Sequence, residues 1–111
     1  MSGVDSPRGG NGGGGIDIDI SCDRLHFETD VRSPNPGVVG QIQVGNVLEV
    51  QLRQGPPSTI VLVFRGQDVG GLVSPKSSRL RECLAGGTRY TATVISIRGA
   101  SIIKTRIAPV L

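Results

Sequence analysis

Few side chains in this 111-residue chain could carry reaction chemistry. It has one histidine, His26, and two cysteines, Cys22 and Cys83, in unrelated contexts. No CxxC pair or Cys/His cluster accompanies them, so the ligand spacing of a zinc site is missing. A Cys/His dyad would form only if distant segments met in the fold. Asp17 and Asp19 would place two carboxylates on one side of a strand. Such a pair could suggest a metal, but a solvated face that discourages edge pairing is the simpler reading. GxSxG, HExxH and a strand-to-helix GxGxxG are absent. Gly9–Gly15 lacks the Lys-Ser/Thr ending of a phosphate loop. The sequence therefore predicts neither an enzyme nor a metal or cofactor protein.

Charge offers more. The formal net charge is +3, with ten of the twelve basic residues being arginine. Residues 1–30 carry six acids and two bases, a net of −4, whereas residues 31–111 carry three acids and ten bases, a net of +7. A basic body attracts polyanions at long range, and arginine contacts phosphate in a bidentate fashion. No apolar run approaches the roughly 18 residues of a membrane span, and no signal pattern opens the chain. Two cysteines are few for a small secreted domain. The expectation is a cytoplasmic, bacterial protein with both thiols reduced.

These residues must be positioned by strands. Seven of the 17 glycines fall in residues 1–15, which read as a disordered tail ahead of one domain, 16–111. Aromatics are few, so Val, Ile and Leu must build the core, which favours strands. Ile16–Ile20 and Leu25–Thr29 alternate, as two strands about a break at Cys22-Asp23-Arg24 or as one bulged strand. Asn35 and Pro36 could cap and start a short helix. Val47–Arg53 and Thr59–Arg65 follow as strands, then a tight turn at Gly66-Gln67 and a glycine-bent strand to Val73. Ser74-Pro75 starts a helix whose Leu80, Cys83 and Leu84 form an apolar stripe; Gly86-Gly87 ends it. Arg89–Arg98 and Ser101–Ile107 form a terminal hairpin about Gly99-Ala100. The pattern predicts a mainly β fold, a small, partly open barrel of the OB or SH3-like kind, with one short helix inserted before the C-terminal hairpin.

The hairpin supplies the candidate site. A two-residue turn pairs Arg98 with Ser101, Ile95 with Lys104 and Thr93 with Arg106. One face then collects Arg89, Thr91, Thr93, Lys104 and Arg106, and the other Tyr90, Ala92, Val94, Ile103 and Ile107. The basic face could hold phosphates without reading bases, though an ordinary solvated sheet face has the same composition. Lys76 and Arg79 of the helix would extend it. Aromatic stacking platforms are scarce, since Phe64 and Tyr90 read as core.

The run Gly66-Gln67-Asp68-Val69-Gly70-Gly71-Leu72-Val73-Ser74-Pro75, followed by Leu80, Leu84, Gly87 and Ala92-Thr93-Val94, resembles HIRAN domains over about residues 46–107. That resemblance implies a modified OB-like barrel, of a kind often attached to helicases or nucleases and in some members binding DNA ends. The family's Asn-Pro-Tyr-Asp segment is replaced here by Gly55-Pro56-Pro57-Ser58, so no DNA-end residue transfers. The leading expectation is a non-catalytic module binding DNA or RNA. The alternative is an interaction or oligomerisation module of a bacterial assembly, such as a defence-system accessory, in which the 16–22 strand is added to a partner protein or a second copy.

Overall fold

A computed structural model describes residues 20–55, 58–99 and 101–111. The expected tail at 1–15 and the alternating residues 16–19 lie outside them. The described chain forms a 3-10 turn at Cys22–Arg24, then β1 (Phe27–Arg32), α1 (Pro36–Val39), β2 (Val47–Arg53), β3 (Thr59–Phe64), β4 (Gln67–Leu72), α2 (Ser77–Ala85), β5 (Tyr90–Arg98) and β6 (Ile102–Pro109).

The strands close into a ring in the order β1-β4-β3-β2-β5-β6, with all neighbours antiparallel. The fold is a mainly β barrel with one nine-residue helix before the C-terminal hairpin. Where a partly open barrel was expected, the ring is closed. The acidic strand β1 accounts for this: it pairs with β4 on one side and β6 on the other. Period-two alternation fills the interior with Leu48, Val50, Ile60, Leu62, Val69, Leu72, Ala92, Val94, Ile103 and Ile107.

Two caps close the ends. Below lie α1, the β3–β4 turn and the β5–β6 connection. The Asn35 side chain accepts from the Gly37 N–H at 3.0 Å and starts α1, which buries Val38. Above lies α2, with Leu80 and Cys83 buried. Ser74 Oγ accepts from the Lys76 N–H at 3.2 Å, and Ser77 Oγ from the Ser74 N–H at 2.8 Å. The regular helix therefore begins slightly later than Ser74-Pro75 suggested. It ends as expected: Thr88 N–H bonds to Cys83 O and Gly87 N–H to Leu84 O, with Gly87 at φ 103°.

Residues 20–24 cross this upper end as a strap. Ser21 caps the 3-10 turn and Cys22 begins it, so residues 21 and 22 are not part of a strand. Cys22 is joined to Cys83 by a disulfide, with Cα atoms 5.5 Å apart. This overturns the expectation of two reduced thiols. Cys83 is a core residue, as its place on the helix stripe implied, but the strap carries Cys22 to the same spot. Arg79 Nε donates to Ile20 O at 3.0 Å, and the Tyr90 hydroxyl donates to Cys22 O. Burial pushes the Tyr90 phenol above its ordinary pKa.

Two turns differ from expectation. The β3–β4 turn is Arg65-Gly66, at φ 53° and 81°, not Gly66-Gln67. Both central residues are left-handed, as a two-residue type I′ hairpin requires. Arg65 pays a steric cost there, and its guanidinium lies 4.9 Å from the Phe64 ring centre. Arg65→Asn should raise stability by about 0.5–1 kcal/mol, because Asn tolerates this conformation; urea denaturation would measure it. The terminal connection leaves three residues, 99–101, between Arg98 and Ile102, which face each other. The pairing then shifts between Val94 and Ser96, leaving Ile95 as the extra residue. The longer connection and the bulge compensate, so Thr93 still faces Arg106, while Lys104 faces Ser96 rather than Ile95.

Candidate nucleic-acid interface

The outer surface of β5, β6 and β1 arranges the cations in rows. Thr93 faces Arg106, which faces Glu28; Ser96 faces Lys104, which faces Asp30. Arg98 faces Ile102, and continuing the β1 register one pleat brings Arg32 level with Ile102. Neighbouring strands run about 5 Å apart, so Arg98 and Arg32 start about 10 Å apart on either side of Ile102. Both arginines are exposed, and Ile102 is 47% exposed.

Thr91, Thr93, Lys104 and Arg106 thus share the expected outer face, with Tyr90, Ala92, Val94, Ile103 and Ile107 buried behind it. Thr105 also points inward, where its hydroxyl donates to Thr29 O at 3.0 Å. Ring closure alters the charge of this face. The sequence separates an acidic first third from a basic remainder, yet β1 returns Glu28 and Asp30 to the basic hairpin. Arg106 makes an ion pair with Glu28 at 3.3 Å, and Lys104 sits across from Asp30. Arg32 and Arg98 have no ion pair among the described residues. Sequence pairing of the hairpin alone missed them, because Arg32 belongs to a strand 70 residues away from Ile102.

The other expected residues lie elsewhere. Lys76 and Arg79 belong to the upper end, away from Arg98 and Ile102. Arg79 is occupied by the Ile20 carbonyl and by Glu82 at 3.0 Å. Arg89 is exposed at the upper edge of β5, beside a groove described below. Arg53, at the end of β2, forms a two-pronged contact with Asp68, at 2.8 and 3.1 Å. That hydrogen bonding holds the Asp68 carboxyl below its ordinary pKa.

Among the described residues no group of three or more His, Cys, Asp or Glu side chains could hold a metal. No helix among them is long and apolar enough to cross a membrane. No protein-family model, curated protein or solved structure matches the chain.

Proposed function

We propose that the protein is a non-catalytic module that binds the phosphate backbone of DNA or RNA through the lower part of the β5-β6-β1 face. The observation that carries this reading is the grouping of Arg32, Arg98 and Lys104 around the exposed Ile102, with Asp30 the one carboxylate among them in the strand register. Two arginines about 10 Å apart can reach successive phosphates of one strand, while Ile102 offers a sugar or base edge an apolar contact. Thr93 and Ser96 border the patch with hydroxyls. Arg106 has a lesser role than its sequence position suggested, because Glu28 competes for its guanidinium. Lys76, Arg79 and Arg89 all lie at the upper end, outside this binding surface. The scarcity of exposed aromatic rings favours backbone contact over base stacking.

A resemblance to HIRAN domains agrees with this reading in kind and contributes no residue to it. Burial of Cys83 shields one sulfur of the cystine from thiol attack.

The test is a titration of labelled single- and double-stranded DNA across a salt series. Three phosphate contacts predict a micromolar or weaker duplex complex with a log–log salt slope of about −2.7. Arg32→Ala with Arg98→Ala should lower the magnitude of that slope by about 2 and weaken binding similarly for every sequence. Arg79→Ala should leave the slope unchanged. Absence of binding at low salt, or a slope indifferent to the Arg32 and Arg98 changes, would sink the proposal.

A further inference from the structure

The barrel carries a second feature, on the opposite end from the phosphate patch. Strand β2 runs to Arg53, but its pairing with β5 stops at Glu49 and Thr91. Residues 50–53 thus present an edge that β5 does not cover, while their other edge remains paired with β3. The gap is a continuous groove in two parts of about 480 and 360 Å³, sharing Val50, Gln51 and Arg89. Its floor is apolar where Val50, Leu52 and Leu84 line it. Its exposed cation is Arg89, which has no ion pair among the described residues. Glu49, the carboxylate in the groove, accepts from Gln51 at 3.0 Å.

A free strand edge is filled by another extended chain, whose backbone satisfies the exposed N–H and C=O groups. An occupant that fits must be short, alternate apolar and polar residues, and carry negative charge toward Arg89. This chain contains such a segment in Ile16-Asp17-Ile18-Asp19. It has four residues for a four-residue edge, with isoleucines spaced to meet the apolar floor and carboxylates on the other side. We infer that residues 16–19 of a second copy of this chain add to the β2 edge in the Arg89 groove, and that the exchange is reciprocal, giving a two-fold dimer.

Exchange between copies fits better than occupancy within one chain. The Ile20 carbonyl is fixed to Arg79, in the first half of α2. Cys22 is bound at Cys83, beside the groove residues Leu84 and Ala85, so the strap from Cys22 back to Ile20 runs along the helix away from the groove. Four extended residues span only about 13 Å, so a segment that must first turn back has too little length left to line the edge.

The experiment is a charge swap read by sedimentation equilibrium on the full chain at moderate salt. The unmodified protein should be a concentration-dependent dimer. Arg89→Glu should weaken self-association at least about tenfold, as should Asp17→Arg with Asp19→Arg, because each places like charges together. Combining the three changes should restore dimerisation. Circular dichroism confirms that each variant is folded, and Ile18→Asp, outside the described barrel, provides a second disruption that leaves the groove intact. A chain that is monomeric at all concentrations overturns the inference. So does a dimer insensitive to the swaps, or one that the combined variant fails to restore. The DNA titration above concerns other residues, so either proposal can fail alone.

Discussion

Reducing the Cys22–Cys83 disulfide should lower the unfolding free energy by about 4 kcal/mol, the chain-entropy value for a loop of this size. The two cysteines are 61 residues apart, and the loop they close contains β1 to β4 and most of α2. Cross-linking so long a loop restricts the unfolded chain severely, whereas the folded barrel is held mainly by its strand pairing. For a domain of this size the loss corresponds to a fall in Tm of roughly 15–30 °C. The native barrel should persist after reduction, because Arg79 and the Tyr90 hydroxyl still hold the carbonyls of Ile20 and Cys22. Thermal unfolding with and without a dithiol, with the free thiols counted by mass after alkylation, measures this. An unchanged Tm on complete reduction would mean the cross-link contributes nothing. The double variant Cys22→Ala, Cys83→Ala should behave similarly, with a small further loss from the cavity left at the buried Cys83.

Gly70→Ala should cost about 3 kcal/mol, the upper part of the range for overpacking. A Cβ at this position would lie 2.5 Å from Val31 Cγ1, 2.8 Å from the Arg32 carbonyl oxygen and 3.3 Å from Pro34 Cα. The Val31 side chain can turn aside, but the backbone of residues 32–34 cannot move without disturbing the pairs Val31–Leu72 and Arg32–Gly71. Those two pairs are all that joins β1 to β4 in the ring. The β3–β4 register shifts beside Leu62 and Val63, leaving Val69 as the extra residue just before Gly70. β4 thus bends where β1 crosses it, and glycine allows the close approach. Gly71→Ala is the control, since its nearest neighbours are 3.8 and 3.9 Å away, and it should change stability by well under 1 kcal/mol. Equal losses at the two positions would show that strand propensity, rather than the close approach, governs them.

The architecture was legible because its signals are local. Alternation in Val47–Arg53 and in the terminal hairpin identifies strands and their inner faces from neighbouring residues alone. Glycine positions and the Asn35 cap mark helix ends in the same way, whereas Ser74-Pro75 placed the start of α2 too early, its N-cap being Lys76. The missed features depend on distant parts of the chain. Nothing in the spacing of Cys22 and Cys83 signals a pair, because the strap that joins them is placed by ring closure. Arg65 read as the end of a strand because left-handed conformations disfavour arginine, and the hairpin geometry overrode that preference. The candidate site divides similarly. The shared outer face of Thr93, Lys104 and Arg106 followed from period two, but the expected Ile95–Lys104 pair did not form, because the bulge at Ile95 puts Ser96 opposite Lys104. The neutralising Glu28, the neighbouring Asp30 and the added Arg32 became visible only once β1 lay beside β6. Composition had suggested a body with charge +7, but the fold returns two of the acidic residues to the face that charge was meant to describe.

The central claim is that phosphate binding is confined to the lower β5-β6-β1 face. An amide chemical-shift map of isotope-labelled protein, titrated with a short single-stranded DNA at low salt, tests it most directly. The largest shifts should fall on Arg32, Ser96, Arg98, Ile102 and Lys104 and vanish as salt rises. Shifts centred on α2 and Arg89, with that face unaffected, would contradict it.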